Sequence, residues 1–113
     1  MSEMLERLRE YGADVSGAME RFLNDEDLYK VCYDVLLQDE AFENLGEALK
    51  EQNYEVAFEC AHTLKGVIGN MGLSPIYKVV CGIVEDLRQK EVKGLNDSYK
   101  ELMSQLEELK KMK

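Results

Sequence analysis

Pro75 is the only proline in 113 residues, and no stretch sustains the apolar–polar alternation of a half-buried strand. Apolar residues recur instead at steps of three and four, the period of a helix with one buried face. A chain built this way can bury its apolar stripes only by packing helix against helix. The length fits one domain, residues 1–113, with a core large enough to need no metal or disulfide staple.

Polar caps and glycines divide the chain. Tyr11-Gly12-Ala13 reads as a break, and Asp14 can cap a short helix running to about Leu23. Asn24 is the expected cap of the next helix, with Asp25, Glu26 and Asp27 in the first turn, where the dipole favours acids. Its expected apolar stripe is Leu28, Val31, Cys32, Val35 and Leu36. After a bend at Gln38-Asp39, Glu40 to Glu51 places Phe42, Leu45 and Leu49 on one face. Asn53 caps a helix from Tyr54. Ser74 as cap and Pro75 at the first helical position start another, running to about Lys90. Gly94 closes a turn, and Asn96 or Asp97 opens a last helix to about Lys111, with Tyr99, Leu102, Leu106 and Leu109 in register. The expectation is an all-α, up-and-down four-helix bundle with a short extra N-terminal helix across one end.

Charge and cysteine usage narrow the function classes. The formal net charge is −9, unevenly spread: residues 1–60 carry 16 acids against 5 bases, residues 61–113 carry 7 against 9. Nucleic acid and anionic membrane are poor partners for such a surface. No apolar run approaches the ~18 residues of a membrane span, and no secretory signal is visible. Cys32, Cys60 and Cys81 are odd in number and form no CxxC pair, which fits a reducing cytoplasm rather than a disulfide framework. A single histidine leaves no multi-histidine metal or haem site, so no cofactor is expected.

The segment from Tyr54 to Met71 is not explained by folding alone. Tyr54, Ala57, Phe58, Ala61, Leu64, Ile68 and Met71 form a core stripe. Glu55, Glu59, His62, Gly66 and Gly69 then fall on the solvent side. Each glycine in a helix interior costs about 1 kcal/mol relative to alanine. A bare surface beside an exposed imidazole makes sense if another protein must approach closely. Lys65, three residues on, can reach a group carried on the ring. The plainer alternatives are a surface histidine without a role, a helix ended by glycine, and a Lys65 paired with Glu59 or Glu85.

Ala61-His62-Thr63-Leu64-Lys65-Gly66, followed by Gly69-Asn70-Met71-Gly72-Leu73, resembles the signature of histidine-containing phosphotransfer (HPt) domains. The likeness is specific over about thirteen residues and looser elsewhere. It implies a helical bundle that relays phosphoryl groups between aspartates of response-regulator receiver domains. Carried over by position, His62 accepts the phosphoryl group and Lys65 helps hold it. Gly66 admits the partner's active-site loop, Gly69 and Asn70 border the docking surface with Glu59, and Gly72 closes the helix. Some members carry a glutamine where this chain has Val84, which is therefore expected in an apolar docking patch instead. The implied partners are receiver domains or a hybrid histidine kinase, with magnesium on the receiver. The domain itself, lacking any ATP motif, is a monomeric carrier and not an autonomous enzyme. Two other functions compete: a receiver-binding scaffold that carries no phosphate, and the phospho-accepting domain of a chemotaxis-type kinase.

Overall fold

The structure is a computed structural model that describes residues 2–113. Among the described residues it is entirely helical, with seven helices: α1 Glu3–Tyr11, α2 Val15–Arg21, α3 Glu26–Leu37, α4 Ala41–Lys50, α5 Tyr54–Asn70, α6 Ser74–Arg88 and α7 Leu95–Lys110. The all-α expectation holds. Helix α5 packs against α4 and α6, α6 against α7, and α7 against α4, so these four enclose the main core. Its centre is Leu45, Ala57, Ala61, Leu64, Ile68, Val80, Ile83 and Leu102, all essentially without solvent contact.

Several boundaries differ from expectation. Residues 3–11 form a helix that the sequence reading left unassigned. Ser2 caps it by accepting from the Leu5 amide, and Gly12 ends it in the left-handed conformation, φ 110°. Two short helices therefore precede α3. Asp14 caps α2 as expected, accepting from Gly17 N. The helix stops at Arg21, however, because Leu23 and Asn24 turn left-handed, φ 56° and 59°. Asn24 thus cannot be the cap of α3; Asp25 is, accepting from Leu28 N at 3.0 Å. Leu73 is the cap of α6, so Ser74 and Pro75 occupy its first two helical positions.

The buried face of α3 is also different. Tyr29, Tyr33, Leu36 and Leu37 enter the core, while Leu28, Val31 and Val35 are 46%, 60% and 66% exposed and Cys32 is half-buried. Both tyrosine hydroxyls donate to carbonyls at the C-terminal end of a helix. Tyr29 Oη donates to Met71 O at 2.7 Å, and Tyr33 Oη donates to Leu109 O. A phenol buries more apolar area than valine, and its single polar atom is satisfied here. The tyrosine face therefore prevails over the valine face.

The first three helices close one end of the bundle, over the α5–α6 turn. Asp14 N donates to Gly72 O at 2.8 Å. Tyr11 Oη accepts from Ile76 N at 3.1 Å and donates to Gln105 Oε1 at 2.6 Å, joining α1 to α6 and α7. Arg21 donates from Nε to Asn70 O at 2.9 Å and from Nη2 to Gly69 O at 3.3 Å, capping the last carbonyls of α5.

Candidate functional site

Helix α5 is set at both ends. Asn53 caps its start by accepting from Val56 N, and Gly72, at φ 71°, turns the chain sharply after Asn70. A Cβ on Gly72 would stand 2.6 Å from Asp14 O, so the turn admits no side chain. Between these limits Ala57, Ala61, Leu64 and Ile68 face the core, followed by Met71. The rotation this imposes puts Glu59, His62, Gly66 and Asn70 in solvent.

His62 does not stand alone on that surface. Its ring stacks on Phe58 one turn earlier, centroids 5.7 Å apart and planes inclined by 27°. The Arg88 guanidinium lies 5.7 Å from the Phe58 centroid on the other helix, and Arg88 forms an ion pair with Glu85. Lys65, half-buried, forms no ion pair among the described residues. Glu85 is taken by Arg88, so the pairing of Lys65 with Glu85 or Glu59 is not found. The ammonium remains available to an anion on the adjacent face.

A recess of about 530 Å³ runs along this face, lined by His62, Lys65, Gly66, Gly69 and Asn70 of α5, and by Tyr77 of α6. Arg21 of α2 closes its far end. The two glycines behave differently. A Cβ on Gly66 would meet nothing within 4 Å, so the surface next to His62 is open. A Cβ on Gly69 would stand 2.8 Å from Tyr77 Cε1. Gly69 is therefore not bare helix surface but the seat of an aromatic ring.

Val84 has to be corrected. It is 0% exposed, packed with Ile76, Val80, Ile83 and Leu87 on the inner face of α6, and takes no part in a surface patch. Gly69 meets Tyr77 and Phe58 lies under Arg88, so each step along α5 is matched by one backward along α6. In that register Val84 is level with His62, as counting suggested, but it points inward. The α6 residues that line the recess are Ser74 and Tyr77. Tyr77 was recoverable by applying the same count to Gly69. Arg21 had no such signal, since only the fold brings α2 to the end of α5.

The cysteines are free, and each is half-buried. The Cys60 thiol is pushed up by burial, then by the Glu59 and Asp39 carboxylates, which disfavours a reactive thiolate. Among the described residues no group of acids, cysteines and histidine is arranged to hold a metal ion, and no helix is long and apolar enough to cross a membrane.

No curated protein and no solved structure matches the chain. The family model of the Hpt domain matches residues 37–112, from the end of α3 through α7. That span is about two-thirds of the sequence and contains α4 to α7, His62 and the α5–α6 part of its recess; α1 and α2, with Arg21, lie outside it. The chain belongs to the Hpt domain family, phosphocarrier modules that serve histidine phosphotransfer in two-component phosphorelays.

Proposed function

We propose that this domain takes a phosphoryl group from the aspartyl phosphate of one receiver domain onto His62 and passes it to the aspartate of another. The observation that carries the reading is one exposed imidazole flanked by an unpaired ammonium, Lys65, and by open space over Gly66.

The chemistry follows from those groups. The unprotonated ring nitrogen of His62 attacks phosphorus, the acyl P–O bond breaks, and the electron pair leaves with the aspartate carboxylate. An N–P bond forms while the other ring nitrogen keeps its proton. Lys65 offsets charge on the transferring oxygens, and Gly66 lets the receiver's loop approach in line. The return step reverses these bonds onto a second aspartate. The domain contributes no cofactor; magnesium belongs to the receiver. Glu59 and Asn70, exposed on either side of His62, border the docking surface. A hybrid histidine kinase whose receiver supplies the phosphoryl group is the natural donor.

The test is transfer of labelled phosphoryl groups from a panel of receiver domains to the wild-type chain and to His62→Gln. Acid-labile, base-stable label on the wild type alone supports the reading. Label retained by His62→Gln contradicts it. Binding of receivers without any labelling would favour a scaffold.

A further inference from the structure

Gly66 and Gly69 lie one turn apart on α5, yet only Gly69 is covered. The edge of the Tyr77 ring rests on it: a Cβ there would meet Cε1 at 2.8 Å, Cδ1 at 3.3 Å and Cζ at 3.5 Å. Any larger residue at 69 would force the ring away, so the glycine sets where Tyr77 lies. The Cys81 side chain, one turn further along α6, is the neighbour that raises the phenol most. In the register that sets Gly69 against Tyr77 and Phe58 under Arg88, Cys81 is level with Lys65. Tyr77, Lys65 and His62 line the same recess.

A phosphoryl group presents three strong acceptor oxygens to its surroundings. Lys65 approaches from α5 only, and the Gly66 side must stay open for a partner. The α6 side is where a second donor belongs. The Cys81 thiol is a weak donor, whereas a phenol O–H is a good one. The neighbouring thiol holds the phenol above its ordinary pKa, so the proton is retained.

We infer that the Tyr77 hydroxyl donates a hydrogen bond to a phosphoryl oxygen carried on His62, so that Tyr77 and Lys65 hold the group from opposite helices. The inference rests on His62 being the phosphoryl carrier. Gly69 is then a positioning residue, acting through the ring it seats.

The experiment uses the full chain and phosphoramidate as a small donor, followed by phosphorus NMR. The donor's N–P bond breaks, ammonia leaves, and the N–P bond to the imidazole forms. Tyr77→Phe keeps the ring on Gly69 and removes only the hydroxyl. It is expected to form phosphohistidine roughly five- to tenfold more slowly, the scale of one lost hydrogen bond in a transition state. Its phosphohistidine resonance should be displaced from the wild-type position, while helix content and urea midpoint stay unchanged. Gly69→Ala, which keeps the hydroxyl but displaces the ring, should show the same slowing. A Tyr77→Phe variant phosphorylated at the wild-type rate, with an unmoved resonance, overturns the inference. His62→Gln separates the two readings: protein-bound phosphorus that survives in this variant, or no phosphohistidine signal in the wild type, defeats the carrier reading and the role of Tyr77 with it.

Discussion

The Tyr29 hydroxyl donates to the carbonyl oxygen of Met71 at 2.7 Å, with both residues buried. One bond thereby ties α3 to the C-terminal end of the helix that carries His62. It satisfies a carbonyl that no amide within α5 can reach. Removing the hydroxyl leaves that acceptor buried and unpaired. Tyr29→Phe is expected to lose about 1–2 kcal/mol of stability, read as a lower urea midpoint at unchanged slope. Phosphorylation of His62, on the far side of the α5 stripe, should persist in the folded fraction.

The two glycines at 66 and 72 should respond oppositely to alanine. Gly66 is helical with open space around it, so Gly66→Ala should stabilise the fold by about 0.5–1 kcal/mol. On the docking face proposed above, the same methyl group would stand in the partner's path, so transfer from receivers should slow even as the midpoint rises. Gly72 sits at φ 71° with Asp14 O in the space a side chain needs. Gly72→Ala should destabilise by about 2 kcal/mol or more, through left-handed strain and the displaced backbone. Denaturant melts of the two variants beside the wild type decide both expectations.

The inward face of α3 is testable by paired substitution. Val35 is largely in solvent, and Val35→Lys should change stability by no more than about 0.5 kcal/mol. Tyr33 is fully buried, and Tyr33→Ala should cost about 3–5 kcal/mol, from the cavity and from the lost hydrogen bond to Leu109 O. Equal costs for the two would mean that α3 buries its valine face instead.

Buried phenols make the fold sensitive to alkali. Burial is the main cause that lifts Tyr11 from 10.0 to about 12, opposed by the Ile76 amide and aided by Glu101 and Glu108. Tyr29 and Tyr33 are raised further by burial. A phenol whose pKa is higher folded than unfolded favours the folded state in its protonated form. That contribution is complete below about pH 10 and is lost as pH rises through the folded values. Urea midpoints should therefore be flat approaching pH 10 and fall above it, with phenolate absorbance appearing together with unfolding.

Much of this molecule was legible before any fold was known. Helix α5 shows why: its core stripe, its cap at Asn53 and the exposure of His62 all follow from a local repeat of 3.6 residues, which the chain carries within itself. The motif around His62 named the family, and the family model agrees. The errors were of another kind. Periodicity finds an apolar stripe but cannot rank two of them on one helix. On α3 the valine stripe lost to Tyr29 and Tyr33 because carbonyls at the ends of α5 and α7 stood within reach of their hydroxyls. Those carbonyls are 42 and 76 residues away in the chain.

The same distinction runs through the site. His62, Lys65 and the bare Gly66 belong to consecutive turns of one helix, so residue spacing alone places them together. The direction of Val84, the seat of Tyr77 on Gly69 and the closure by Arg21 depend on how α6 and α2 are rotated against α5. That rotation is set by the shared core, where Val84 buries more apolar surface facing inward than it would facing His62. Local sequence thus determined which residues can do chemistry, and packing between distant segments decided which neighbours surround them.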